Sequence, residues 1–393
     1  MSIPASAVFG LNLFSALAKI GAGTAGGLFI SPLSAYIALI LALNGAGPLS
    51  STQRELWTVL TQKQLPNTLA AANTAETALN SEASALMKAL AAQSSSNGTQ
   101  LTIANAVWTN KTDVLKPYSD SMLKLFQAPV TAVSSAAPIN DWAVKATRGL
   151  IKTAVPANSK FKAVVTNAVY FKGAWQYQFS PSSTYKRPFT TPANKQVQVD
   201  MMGKGFYQAD VKWAEVAGQF RAVKLPYKGS KIVAVAVLPD QKAYKLDAAA
   251  ALAGIGLSRI LNAPWQPASA AEPKLQVSLP KFKISQEMLP VGQALKALNV
   301  TAAFNPDVAN LDRLSKDDLF ITDVTQSVVV IVDEVGTEAA AVTSIMVGAT
   351  AFIQETTPPI VFDRPFIFML VDDASSSVLF MGVVKDPTQM SVK

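Results

Sequence analysis

The chain has no cysteine and no histidine among its 393 residues. Without cysteine it forms no disulfide, no thiolate nucleophile and no thiolate metal site, and without histidine it has no imidazole to activate a serine. The usual hydrolase triad is therefore excluded. A serine–lysine or paired-carboxylate enzyme remains as the catalytic alternative, but no Ser-x-x-Lys motif or glycine-rich phosphate loop stands in a favourable context. We expect a protein that is not an enzyme and needs no metal or cofactor.

Charge is also scarce, since only 15% of the residues are charged while 50% are hydrophobic. This balance suffices for one large core. No internal repeat and no linker rich in proline, serine or charge divides the chain, which predicts a single domain over residues 1–393. The net charge of +8 comes from lysines and arginines that are scattered without a block of like charges. A solvated basic surface is therefore favoured over a nucleic-acid or heparin site.

No hydrophobic run is long enough to predict a membrane segment. The run from Phe29 to Gly45 is shorter than a span and is interrupted by polar residues. Ser31 as a helix cap and Pro32 at the first helical position predict a buried helix instead. The first twenty or so residues have apolar side chains at helical spacing and no signal-peptide pattern, which predicts a helix and a cytoplasmic protein. Secretion, with processing ahead of Met1, is the alternative.

The stretch from Val328 to Pro359 is the most informative part of the chain. Its first five residues are β-branched and uncharged, which predicts a strand buried on both faces. Asp333, Glu334 and Gly336 are expected to end this strand. From Thr337 onward small residues alternate with a period of two and turn residues are missing, so the segment can be either exposed or paired with a sheet. An ordinary interior hairpin strand is the alternative.

This stretch resembles the hinge of the serpins, protease inhibitors whose exposed reactive loop inserts into their own central sheet. The residues that carry the resemblance are Glu334, Gly336, Thr337, Glu338, Ala339, Ala340, Ala341, Val342 and Thr343. Other serpin motifs follow in family order, namely FISPLS from Phe29, Asn167-x-x-x-Phe171-x-Gly173-x-Trp175, Leu225-Pro226-Tyr227, Leu279-Pro280-Lys281-Phe282 and Arg364-Pro365-Phe366. The resemblance covers nearly the whole chain.

The resemblance implies an α+β serpin fold with three β-sheets, about eight or nine helices and a reactive-centre loop over about residues 335–358. It assigns Ser31, Ser34 and Asn167 to the shutter, where the central sheet opens, and Trp175 to the breach, where the loop enters. The family usually has a histidine that bonds to the shutter asparagine, and this chain has Gln326 there. An amide donates and accepts as a neutral imidazole does, so we expect Gln326 to satisfy Asn167 without a charge switch near neutral pH.

The function implied is suicide inhibition, in which the target protease cleaves the loop and is trapped as an acyl-enzyme. Counting Gly336 as the first of fifteen residues places the cleaved bond after Thr350, with Ala351 on the leaving side. Ala349, Met346 or Phe352 would serve if the register differs. A small β-branched residue favours elastase-like or subtilisin-like serine proteases. Cysteine proteases are a further target class, and a non-inhibitory serpin that acts as a binding or chaperone protein is the alternative.

Local patterns predict the remaining elements. The expected helices are Leu49–Leu60 and Thr74–Ala92, and Asn140–Ile151 resembles the serpin helix that lies across the front of the central sheet. The expected strands are Leu101–Trp108, Ala163–Phe179, in which Gly173 is expected to let the chain turn, and a hairpin of Ile367–Val371 with Val378–Val384. The helix that carries basic residues in heparin-dependent serpins has only Lys88 here. The resemblance therefore implies a monomer whose protease partner is bound without heparin activation.

Overall fold

The structure is a computed structural model that describes residues 3–93, 99–270, 274–337 and 358–389. These residues form ten α-helices, two of which (α7 and α9) are short enough to explain why the count exceeds the expected eight or nine. The helices are α1 Ala5–Lys19, α2 Pro32–Gly45, α3 Ser51–Thr61, α4 Leu69–Ala91, α5 Lys116–Phe126, α6 Ala137–Ala146, α7 Gln241–Tyr244, α8 Ala248–Ile255, α9 Leu257–Leu261 and α10 Val291–Ala297.

The strands of the described residues form three sheets, as the resemblance implies. They are β1 Gly27–Ile30, β2 Gln100–Asn110, β3 Val130–Val133, β4 Ala163–Ala174, β5 Thr184–Thr190, β6 Gln196–Phe206, β7 Lys212–Val216, β8 Phe220–Pro226, β9 Ile232–Pro239, β10 Gln266–Pro267, β11 Leu275–Pro280, β12 Phe282–Leu289, β13 Ile321–Val332, β14 Gly336–Thr337, β15 Ile360–Val361, β16 Phe366–Asp372 and β17 Ser377–Val384. Seven strands follow the order β1-β17-β16-β9-β8-β7-β10, four follow β15-β11-β6-β5, and six follow β12-β13-β14-β4-β2-β3.

The six-stranded sheet is covered on both faces. Val328 and Val330 of β13 belong to the main hydrophobic core, whereas Val329 belongs to a second cluster with Ile139 and Ala143 of α6. Successive side chains of a strand point to opposite faces, so both faces of β13 are buried, as its run of β-branched residues predicts. Helix α6 therefore lies over one face of this sheet and the main core over the other.

Two helix predictions need correction. Ser31 stands at the N-cap of α2, but its side chain does not cap the helix; its hydroxyl donates to the carbonyl oxygen of Leu379 at 2.6 Å. Helix α6 ends at Ala146 and does not reach Ile151. Arg148 and Gly149 adopt φ angles of 54° and 83°, and two left-handed residues in a row end a right-handed helix.

Strand β4 shows why Gly173 is a glycine. The prediction of a turn there is wrong, because the strand continues through Gly173 to Ala174 before Trp175 follows. A Cβ on Gly173 would lie 2.7 Å from a ring carbon of Tyr227. The residue is therefore required by the close approach of an aromatic ring and not by a change of direction.

The C-terminal hairpin agrees with its prediction, since β16 and β17 pair antiparallel around a turn that begins after Asp372. No helix within the described ranges combines the length and the apolar character needed to cross a membrane.

Candidate functional site

The six-stranded sheet divides at one end, and a new strand begins in the gap. Strands β13 and β4 pair directly and in parallel from Ile321 opposite Ala163 to Val329 opposite Tyr170. Beyond this point β14 lies between them, with Thr337 opposite both Val332 and Gly173. Gly336 and Thr337 are therefore already paired in the sheet at the position where a longer strand would have to enter.

Gly336 and Thr337 have side chains small enough to fit in this gap. A Cβ on Gly336 would lie 2.0 Å from the carbonyl oxygen of Gly173, so no other residue fits there without moving a strand. The Thr337 side chain is fully buried, and its hydroxyl oxygen lies 2.6 Å from that of Tyr227. Burial raises the pKa of Tyr227. The phenol therefore stays neutral and can act as donor or acceptor to the threonine.

Trp175 lies at the end of the sheet, beside this gap. Its indole Nε1 donates to the carbonyl oxygen of Asp333 at 2.8 Å, and its backbone N–H donates to that of Val335 at 2.9 Å. Its ring stacks on Tyr227 with centroids 4.5 Å apart. Trp175 thus contacts both the turn that leads into β14 and the tyrosine that contacts Thr337, and its assignment to the breach stays a prediction.

Two carboxylates shape the turn between β13 and β14. Oδ1 of Asp333 accepts from the backbone N–H groups of Val335 and Gly336 at 2.9 and 3.0 Å. Burial raises the pKa of Asp333, and these backbone bonds offset only part of that effect. Glu334 accepts from Lys281 at 2.8 Å and from the hydroxyl of Thr184 at 2.9 Å. Burial alone would raise the pKa of Glu334, but the hydrogen bonds from Lys281, its own backbone N–H and Thr184 outweigh burial, and the pKa is lowered.

The shutter cluster, which we define as Ser31, Ser34, Asn105, Asn167 and Gln326, connects α2 to the middle of the six-stranded sheet. Gln326 Nε2 donates to Asn167 Oδ1 at 2.8 Å and to the backbone oxygen of Ser31 at 2.9 Å, while Gln326 Oε1 accepts from the backbone N–H of Ser31 at 2.8 Å. Asn167 Nδ2 donates to Ser34 Oγ and, at 2.6 Å, to Asn105 Oδ1. The amide of Gln326 therefore satisfies Asn167, as expected from its chemistry. Sequence reasoning missed Asn105, although its register opposite Asn167 places it there.

The shutter cluster contains no group that titrates near neutral pH, which gives a testable prediction. The rate at which a strand enters the sheet should vary by less than about twofold between pH 5 and 7 in the wild type. Gln326→His should make entry faster at pH 5, because an imidazolium cannot accept from the Ser31 amide and leaves it unpaired. A synthetic peptide with the sequence of residues 337–350, followed on native gels as it anneals, measures this rate.

Asp333 is present in both the wild type and the Gln326→His variant, so its titration affects both rates equally. A difference between the two pH dependences therefore comes from the shutter cluster. A wild-type rate that changes as steeply with acid as that of the histidine variant would contradict the prediction.

The remaining hinge residues and the cleaved bond lie outside the described residues. These are Glu338, Ala339, Ala340, Ala341, Val342, Thr343, Thr350 and Ala351, together with the alternatives Met346, Ala349 and Phe352. Their assignments stay predictions.

The described chain resumes at Pro358, and an arginine holds it there. Arg221 of β8 donates from Nη1 to the carbonyl oxygen of Pro359 at 3.0 Å and from Nη2 to that of Pro358. Sequence reasoning missed this residue, and no motif in the chain distinguishes it from the other scattered basic residues. Among the described residues no group of three or more acidic side chains is placed to hold a metal ion.

Comparison with known proteins decides the family. The sequence model of the serpin family (serine protease inhibitor) matches residues 4–387. The chain is a serpin. A rice protein named putative serpin-Z6C (Oryza sativa subsp. japonica) is 31% identical over 95% of this serpin and 94% of its own length. Human serpin B9 is 29% identical over 92% of this serpin and 93% of its own length.

Solved structures show the same fold. The native state of the thermophilic serpin tengpin superimposes with a TM-score of 0.81 and 25% identity, covering 98% of this serpin and 96% of that chain. Uncleaved ovalbumin superimposes with a TM-score of 0.78 at 20% identity, covering 98% of each chain. Thyroxine-binding globulin, solved with thyroxine, has the same fold at 22% identity and a TM-score of 0.79, covering 97% of this serpin and 99% of that chain. Serpins are generally protease inhibitors and not catalysts, but the family includes non-inhibitory members, so the fold alone does not decide the activity.

Proposed function

We propose that this serpin is a suicide inhibitor of serine proteases that traps its target by inserting residues 338 onward between β13 and β4. The observation that carries the proposal is the divided sheet, in which Thr337 is paired with both β13 and β4 and Gly336 is paired with β4. The next residues need only continue the same ladder towards Ala163. To do so they must separate β13 from β4, which are paired directly below the gap.

The serpin supplies no catalytic group to this reaction. The hydroxyl oxygen of the protease serine attacks the carbonyl carbon of Thr350 and forms an ester, while the Thr350–Ala351 bond breaks and the nitrogen of Ala351 leaves with a proton. The segment that ends at Thr350 is then free to move with the protease attached. Trapping succeeds when insertion is faster than hydrolysis of the ester, so the shape of the gap determines the outcome.

Insertion supplies its own driving force. A strand in the middle of a sheet pairs its backbone groups with two neighbours, and each hydrogen bond contributes about 0.5 to 1.5 kcal/mol net. The uncleaved chain is then held kinetically, because it cannot reach the arrangement with the extra strand while its loop is continuous. The side chains that must fit between packed strands are small, which suits insertion better than it suits a generic loop.

A non-inhibitory binding or chaperone serpin is the second candidate, since the fold is shared with thyroxine-binding globulin and ovalbumin. The hinge of this chain carries no proline and no aromatic residue from Gly336 to Thr343, and its one charged residue is Glu338. Because such residues would hinder a strand from entering the sheet, their absence favours the inhibitor.

Mixing the protein with a panel of proteases tests the proposal. Elastase-like and subtilisin-like enzymes should give a covalent band on denaturing gels, because Thr350 suits a shallow specificity pocket, whereas trypsin-like enzymes should not. Mass spectrometry of the released peptide then identifies the cleaved bond. If every protease of the panel cleaves the loop and none stays attached, the protein is not an inhibitor of this kind.

A further inference from the structure

A cavity of about 290 Å³ opens to the surface between α4, α5 and β2. This is about twice the volume of an apolar cavity that holds benzene, so the space accommodates about twelve carbon atoms. The apolar part of its wall consists of Met87 and Leu90 of α4, Leu101 and Ile103 of β2, and Leu125 and Phe126 of α5. The cavity shares no lining residue with the gap between β13 and β4, and the function proposed above does not use it.

Strand β2 shows that this wall belongs to the interior of the protein. Alternate residues share one face of a strand, so the side chains of Ile103, Asn105 and Val107 point to the same side. Asn105 and Val107 are 2% and 1% exposed, whereas Ile103 is only half-buried. Ile103, Met87 and Leu125 all pack against the main core, yet each keeps part of its apolar surface accessible. An apolar ligand in the cavity would bury this surface, which is favourable in proportion to the area removed from water.

Two lysines give the cavity a positive mouth. Lys88 of α4 and Lys124 of α5 line it, and both are exposed. Neither ammonium forms an ion pair with a carboxylate of the described residues, and no described carboxylate lines the cavity. Each lysine lies in the last turn of its helix, where the helix dipole supplies roughly half a negative charge. Two full positive charges exceed two half charges, so the mouth favours an anion.

We propose that this cavity is a binding site for a medium-chain fatty acid, whose hydrocarbon chain lies against the apolar wall and whose carboxylate faces Lys88 and Lys124. Burial of the chain supplies affinity that grows with its length, and the lysines select an anionic head group. The carboxylate stays at the mouth, in contact with water, so it avoids the cost of burying a charge. The site goes beyond protease inhibition and needs no protease to be occupied.

Titration calorimetry with dodecanoate, below the concentration at which it forms micelles, tests the site. One molecule should bind per chain, and decanoate, which is shorter by two methylene groups, should bind about tenfold more weakly. Dodecanol and dodecyltrimethylammonium have the same chain but no negative charge, so each should bind about fivefold more weakly than dodecanoate. If dodecanoate shows no saturable binding, or if dodecanol binds as tightly, the proposal is wrong.

Variants locate the bound ligand. Lys124→Gln should weaken dodecanoate about threefold and leave dodecanol unchanged. Lys145→Gln is the matched control, because Lys145 is also an exposed lysine in the last turn of its helix, α6, but does not line the cavity. Met87→Trp should fill the cavity and abolish binding of both ligands. If the two lysine variants bind dodecanoate equally, or if Met87→Trp binds it as the wild type does, the ligand lies elsewhere and the proposal fails. Should Met87→Trp not fold, the two lysine variants decide alone.

Discussion

Thr337→Arg should turn this serpin from an inhibitor into a substrate, with the yield of covalent complex reduced more than about tenfold. Thr337 is fully buried between β13 and β4, and its hydroxyl is already matched by that of Tyr227. An arginine in this position would bury a charge without an acidic partner and would not fit beside the strands. The arginine would therefore displace β14 from the gap, insertion of the residues that follow would be slowed, and hydrolysis of the acyl-enzyme would be faster than insertion.

The measurement compares complex with cleaved product on denaturing gels at equal protease and inhibitor concentrations. Thr337→Val is the matched control, because valine keeps the shape of threonine and removes only the hydroxyl. It should still form most of the wild-type complex, at a slower rate set by the unpaired Tyr227 hydroxyl. A stable covalent complex with the arginine variant, in wild-type yield, would rule out insertion at this gap.

Cleavage of the loop should raise the thermal unfolding temperature by at least about 10 °C. An inserted strand of about ten residues bonds to both β13 and β4, with each hydrogen bond contributing about 0.5 to 1.5 kcal/mol. For a chain of 393 residues, a gain of about 10 kcal/mol corresponds to a shift of about 10 °C, before any burial of side chains is added. Cutting a covalent bond ordinarily lowers stability, so a rise of this size would indicate that the sheet has gained a strand.

Scanning calorimetry before and after limited cleavage, with the cut located by mass spectrometry, measures this shift. Thr337→Arg, cleaved at the same bond, is the control, since its segment cannot enter the sheet and its unfolding temperature should stay unchanged. If the cleaved wild type unfolds no higher than the intact protein, the added strand does not form, and the non-inhibitory alternative gains support.

Several parts of the fold could be predicted because they depend on neighbours in sequence. The run from Val328 to Val332 predicted a strand with two buried faces, and the C-terminal hairpin was also confirmed. Element ends were less predictable. Helix α6 stops at Ala146, ahead of the left-handed residues Arg148 and Gly149, and of these only the glycine is a helix-ending signal in the sequence.

Within the site, too, features that depend on local sequence could be predicted and contacts between distant residues could not. The serpin motifs identified Asn167, Trp175 and Gln326, and the amide chemistry of Gln326 was sufficient to predict its bond to Asn167. Gly173 was assigned to a turn because the approach of the Tyr227 ring comes from a distant part of the chain. The bond from Arg221 to the prolines could not be predicted either, since the partners are separated by more than a hundred residues.

The sequence by itself determined the serpin family, the buried central strand and the small residues of the hinge. It also excluded a catalytic centre based on histidine or cysteine. These features could be predicted because composition and a period of two are local properties. Only the tertiary structure decided that Gly336 and Thr337 already lie between β13 and β4, that Tyr227 contacts Thr337, and that Arg221 donates to the carbonyl oxygen of Pro359. Contacts between distant residues depend on the register in which whole strands pair, and that register is set by packing of the entire core.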